Sequence, residues 1–205
     1  PGYGAGHAEQ HNAVTLRRRD QCDGATARLW VESQNERELR LTCDLHEAWP
    51  MVTREYRRHY WLVDDEHLLI VDNILGRPGM RTGGKWHLQT RLPVEQTDEG
   101  FVLRGREADL RVILLTDADC HEITHWEHRR EPVTTLSWRH SFDRENSFHP
   151  FLLTFGKPEV NLRQNGSTAE VELNGLTWTF DVAEPYEKPG PDGSTSPQRT
   201  RRPGQ

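Results

Sequence analysis

The 205-residue chain has little cysteine, no long apolar run and no excess of positive charge. Cys22, Cys43 and Cys120 are its only cysteines. An odd number at such wide spacing excludes a disulfide framework and a C-x-x-C zinc pattern. Apolar runs such as Leu68–Val71 fall far short of the roughly 18 residues that a membrane span needs. Lys and Arg total 26 against 32 for Asp and Glu, a formal charge of -6. That excludes a generally basic nucleic-acid binder but leaves room for a local basic cleft. No stretch of about 12 residues carries an apolar stripe at helical period. Hydrophobic residues make up 34% and the mean hydropathy is -0.85, so the core must be thin or layered. At this length it is still large enough to fold, because a chain of this mass hides roughly 70% of its extended surface.

Histidine and tryptophan are abundant instead. Eleven histidines would carry the charge from -6 to +5 if all were protonated (-6 + 11). Seven tryptophans read either as core residues or as sugar-stacking surfaces. The dominant period is two, the signature of strands. It runs through 27–33, 37–45, 54–63, 67–74, 85–90, 100–104, 109–116, 134–142, 151–155, 159–164, 168–173 and 176–182. Asn165-Gly166 reads as a two-residue primed hairpin turn, and the N-G-S sequon there is assigned to the turn. Strands at this spacing predict an all-β fold, an antiparallel two-layer β-sandwich over residues 1–183. Residues 184–205 hold five prolines, three glycines and no aliphatic core residue, and are expected to be a disordered tail. A start at Pro1 reads as a piece of a longer chain, so targeting is not read from it.

Four segments together resemble a known family. They are His11-Asn12-Ala13-Val14 with Asp20-Gln21; Leu45-His46-Glu47-Ala48-Trp49; Tyr56-Arg57-Arg58-His59-Tyr60-Trp61-Leu62-Val63 running into Leu68-Leu69-Ile70-Val71-Asp72-Asn73-Ile74; and Trp86-His87-Leu88. In this order they resemble the C-terminal, supersandwich-like β-sandwich of heparinase II/III-like polysaccharide lyases, over about residues 7 to 115. The resemblance implies a two-part enzyme, in which an N-terminal α/α toroid supplies a catalytic Tyr and the sandwich closes the cleft. The H-x-H strand and D-P-G turn that precede the H-N segment in that family are absent. The implied partner is an acidic polysaccharide, with no nucleic acid and no membrane, and the implied compartment is periplasmic or secreted. The implied cofactor is a structural divalent metal, zinc or calcium, with His11 as a ligand.

β-Elimination asks for a base at the uronate C5 proton, an acid at the leaving oxygen and groups that stabilise the enolate-like intermediate. His, Tyr, Arg and Asn suffice. His11 and His46 are the candidate cleft residues, and no confident catalytic residue emerges from the chain itself. Arg57, Arg58, Trp49 and Asn12 are the candidate substrate contacts. A guanidinium suits a uronate or sulfate, and Trp49 lies in a loop-like stretch where its ring could stack on a pyranose. Each has a plainer reading: Arg57 and Arg58 as a solvated sheet face, Trp49 as a packing residue, Asn12 as a turn residue. His87 is assigned to the sheet interior or its polar edge. His121, His125 and His128 are assigned to a surface loop. The first functional reading is the sandwich portion of a lyase acting on heparin, heparan sulfate or alginate-like glycans. The alternative is a non-catalytic carbohydrate-binding or supporting module. A self-contained sandwich epimerase would need a His and a carboxylate converging on one concave face.

Overall fold

The computed structural model describes residues 13–19, 21–78, 83–128, 130–141 and 146–182. In chain order its strands are β1 (Val14–Leu16), β2 (Arg28–Gln34), β3 (Glu38–Asp44), β4 (Thr53–Val63), β5 (His67–Gly76), β6 (Gly83–Thr90), β7 (Val94–Thr97), β8 (Gly100–Leu103), β9 (Leu110–Leu114), β10 (Cys120–His128), β11 (Glu131–Ser141), β12 (Asn146–Thr154), β13 (Val160–Asn165), β14 (Thr168–Leu173) and β15 (Leu176–Asp181). A single turn of 3-10 helix spans His46–Ala48. The described residues contain no α-helix.

The strands form a four-stranded sheet (β1-β6-β11-β10), an eight-stranded sheet (β2-β3-β4-β5-β12-β9-β8-β7) and a three-stranded sheet (β13-β14-β15), with antiparallel pairing. The expected sandwich is the four-stranded sheet on one face of the eight-stranded sheet. The three-stranded sheet adds a layer on the other face. Two apolar clusters fill the two gaps. Tyr56, Ile70 and Ile74 meet Leu16, Trp86, Leu136 and Trp138 in the first. Trp61, Leu69, Val71, Phe148 and Leu152 meet Val171, Leu173, Trp178 and Phe180 in the second.

This layering explains β5. Its run H-L-L-I-V-D-N-I-L-G is buried along nearly its whole length, because alternate side chains enter different cores. A strand covered on both faces needs apolar residues at every position, which is why its pattern is continuous rather than alternating.

Two expectations from the sequence need correction. The stretch around His121, assigned to a loop, is strand β10 at the edge of the four-stranded sheet. Its polar letters hide it: an edge strand needs only one pairing partner, and β11 supplies it from Cys120↔Arg139 through His128↔Glu131. The β13–β14 turn is Gly166-Ser167 rather than Asn165-Gly166, since Asn165 pairs with Thr168. Gly166 has φ +59°, as the first central residue of a primed turn requires. In the next hairpin, between β14 and β15, both turn residues have positive φ: Asn174 (48°) and Gly175 (76°). The expected disordered tail falls on residues outside the described ones.

Candidate functional site

Strand alternation on β4 sends adjacent arginines to opposite faces. Arg58 points toward the first core with Tyr56, and Arg57 lies on the other face with His59 and Trp61. The two expected substrate contacts therefore have different surroundings.

Arg58 is only 12% exposed and meets Asp72, which is 0% exposed. Its Nε donates to Asp72 Oδ1 and its Nη2 to Oδ2, both at 2.7 Å. Nη2 also donates to the Tyr56 hydroxyl at 3.1 Å. Trp86 Nε1 donates to Asp72 Oδ2 at 2.5 Å. Burial works against the Arg58 charge, but Asp72 outweighs it and holds the guanidinium firmly protonated. This arrangement ties β4, β5 and β6 together across the two sheets. Arg58 is thus engaged with a buried carboxylate rather than presented to solvent.

Arg57 has a side chain 53% exposed and lies 3.8 Å from Glu55. It is the cross-strand neighbour of Asp44 on β3. Asp44 accepts from His46 Nδ1 at 2.9 Å and from the His46 backbone N–H at 3.1 Å. Burial raises the Asp44 carboxyl, but hydrogen bonds from His46 and the charges of His46 and Arg57 outweigh it, and the net shift is down. The His46 side chain is 48% exposed. With Nδ1–H directed at Asp44, the acceptor nitrogen of the neutral ring is Nε2. Thr26 Oγ1 donates to Glu47 Oε2 at 2.5 Å beside this group. The end of β3, the 3-10 turn and β4 thereby place a carboxylate-oriented imidazole and an exposed guanidinium at one end of the eight-stranded sheet.

Trp49 is buried. It packs on Tyr56 at a ring-centroid distance of 5.3 Å and its Nε1 donates to the Arg19 carbonyl. Its ring face is inside the core rather than open to a sugar. His87 is buried between Thr15 and Ser137, with Nε2 3.3 Å from Thr15 Oγ1 and Nδ1 3.0 Å from Ser137 Oγ. This is the sheet placement expected for it. H-E-I-T-H at 121–125 spells a zinc pattern only when it lies on a helix. On strand β10 its two histidines stand about 13 Å apart, too far to share one ion. Among the described residues no group of three or more His, Cys, Asp or Glu could hold a metal. His11 and Asn12 lie outside the described residues.

Two carboxylates that orient these side chains were not singled out from the sequence. Asp72 is legible in hindsight, since an ionisable residue inside an apolar run demands a partner. Asp44 is legible as the start of a D-x-H turn, because Asp side chains bond the backbone two residues on.

No protein-family model and no curated protein matches the sequence. Solved structures do match the fold. The crystal structure of heparan sulfate lyase HepC from Pedobacter heparinus aligns at TM-score 0.61 and 13% identity, over 87% of this chain and 32% of that one. A heparinase III gene product aligns at 0.63 and 15%, over 85% and 30%. A further heparinase III crystal structure aligns at 0.56 and 13%, over 84% and 29%. The chain thus spans about a third of the length of the structures it matches. At these identities the likeness is one of fold, and it agrees with the resemblance read from the motifs: the chain is folded as the heparinase III and heparan sulfate lyase structures are over that share of their length.

Proposed function

We propose that this chain is the sandwich part of a polysaccharide lyase that cleaves uronate-containing glycans by β-elimination. Heparin, heparan sulfate and alginate-like chains are the substrate class. An α/α toroid elsewhere in the protein supplies the main proton-transfer groups. The base takes the C5 proton, the C4=C5 double bond forms, and the C4–O bond breaks with a proton passing to the leaving oxygen. The supporting observation is the fold shared with heparan sulfate lyases over 85–87% of the chain.

Within the chain, Arg57 contacts the glycan's carboxylate or sulfate, and His46, oriented by Asp44, lies beside it as a hydrogen-bonding or proton-carrying group. Of the two adjacent arginines, Arg57 suits this role by its exposure. A divalent ion at His11, zinc or calcium, belongs to the reading as a structural element, and no step runs through it. Export to the periplasm or the medium belongs to it as well. No helix among the described residues is long and apolar enough to cross a membrane.

The test is retention of the chain on immobilised heparan sulfate, heparin and alginate, with neutral dextran as control. Arg57→Ala is expected to weaken retention about fivefold, the value of one exposed charge-assisted contact of roughly 1 kcal/mol. The protein that carries this segment with its toroid is expected to release unsaturated uronate from at least one of these glycans. Glycan retention without elimination would favour the non-catalytic module. Retention no better than on dextran, with no product, would remove both readings.

A further inference from the structure

The eight-stranded sheet ends in two strands that each have one partner among the described residues: β7 pairs with β8, and β2 with β3. The two ends are built differently. β7 is four residues long, and its Glu95 forms an ion pair with Arg104. Short and charged is the usual protection of a sheet edge. β2 has seven residues, and carries Leu29, Trp30 and Val31 at 63%, 41% and 58% exposure. A long apolar edge of this kind invites another strand.

The order of residues on β2 indicates which strand. The run Arg28-Leu29-Trp30-Val31-Glu32 reads basic, apolar, aromatic, apolar, acidic. Two copies placed antiparallel about a twofold axis at Trp30 bring Arg28 opposite Glu32 of the second copy, Leu29 opposite Val31, and Trp30 opposite Trp30. Each apolar residue then meets an apolar residue, and each charge meets its opposite, twice over by symmetry. Cross-strand partners share a sheet face: alternation puts 28 and 30 on one face and 29 and 31 on the other, and Glu32 joins the face of Trp30 through its bonds to Trp30 and Thr42. Glu32 already accepts from Thr42 Oγ1 at 2.7 Å and from Trp30 Nε1 at 3.2 Å, both through Oε1. Among the described residues its Oε2 takes no hydrogen bond, which leaves it for the arriving guanidinium. Glu32 is the extra residue of a bulge between Val31 and Ser33, so regular pairing ends there and is confined to about these five residues.

We propose that two copies of this chain associate through β2, in antiparallel register centred on Trp30, joining their eight-stranded sheets edge to edge. The surface is isologous, so closed twofold symmetry satisfies it completely. This assignment does not rest on the lyase reading, although Arg28 is the cross-strand neighbour of Asp44 and so adjoins the candidate site.

Sedimentation equilibrium of the whole chain tests it. The unaltered chain is expected to form a concentration-dependent dimer. Arg28→Glu alone, and Glu32→Arg alone, each place like charges opposite one another at both ends. Each is expected to weaken the dimer about tenfold, from two lost pairs and two new repulsions. The double variant Arg28→Glu with Glu32→Arg restores opposite pairs and is expected to return the dimer to within about twofold of the original. Circular dichroism of each variant checks that the exposed substitutions leave the sheets intact. A chain that stays monomeric to its solubility limit overturns the proposal. So does a dimer that ignores the single swaps, or one that the double swap fails to rescue.

Discussion

Asp72 and Arg58 form the most deeply buried ion pair among the described residues. A carboxylate with no exposure and a guanidinium with little of it are matched in two hydrogen bonds of 2.7 Å. Taking two charges from water costs several kcal/mol each, and only good geometry offsets it. Removing one partner strands the other. Asp72→Asn is therefore expected to lower the unfolding free energy by about 3 kcal/mol, read from urea denaturation. The apolar pair Arg58→Met with Asp72→Leu should lose much less, because it leaves no orphaned charge. Loss of under about 1 kcal/mol for Asp72→Asn would mean that water reaches the pair. The tryptophans divide at the same scale. Trp49, Trp61, Trp86, Trp138 and Trp178 are core residues, Trp126 is half-buried on β10, and Trp30 is exposed on β2. Their abundance reflects three layers to fill more than a sugar platform.

At the scale of elements, the strands that alternate cleanly or run apolar were legible. β3, β4, β5, β14 and β15 fall where the pattern puts them, to within about two residues. The strands that escaped are β1, three residues long, β7, four residues long, and polar β10. Short edges carry too few residues to show a period, and one partner strand compensates for a weak pattern. Turn identity followed register rather than letters. Asn165 pairs as a strand residue, leaving Gly166 to take the positive φ. Gly166→Ala is thus expected to cost about 1 kcal/mol in thermal or urea unfolding, and Asn165→Ala under about 0.5 kcal/mol. The reverse order would place the turn one residue earlier. Gly100 is more constrained still: at φ +143°, a Cβ there would stand 2.2 Å from the Val112 carbonyl oxygen.

For the whole molecule, histidines at both layer interfaces make stability depend on pH. His59 lies between the eight- and three-stranded sheets, edge-on to Trp178 and Phe180. Burial lowers it to about 4, although Glu32 opposes the shift. His140 and His149 lie 4.4 Å apart, centroid to centroid, between the four- and eight-stranded sheets, against Trp86. Burial lowers His140, with backbone and carboxylate groups of Asp117 and Asp119 opposing. Burial and then the neighbouring His140 lower His149 further. Groups with depressed values are neutral in the fold while the unfolded chain already binds protons. Their contribution is complete above about 6.5 and declines as pH falls through the window toward 4. Unfolding free energy is expected to drop from pH 7.5 to pH 5 by up to about 1.4 kcal/mol per pH unit for each such imidazole. Urea titrations at the two values check it, and a flat profile would show that the layers admit water around these rings.

The sequence by itself determined the all-β class, most strands and the family resemblance, because alternation and turn residues are local properties of the chain. It also put His46 and Arg57 among the candidates, since a polar turn and an arginine-bearing strand are readable without a fold. Tertiary structure alone decided that Arg57 faces solvent while Arg58 meets Asp72, that Trp49 is packed, and that a third sheet covers the far side of β5. Those outcomes depend on which layer lies over each face of a strand. Period two says that neighbours part company but not what either one meets.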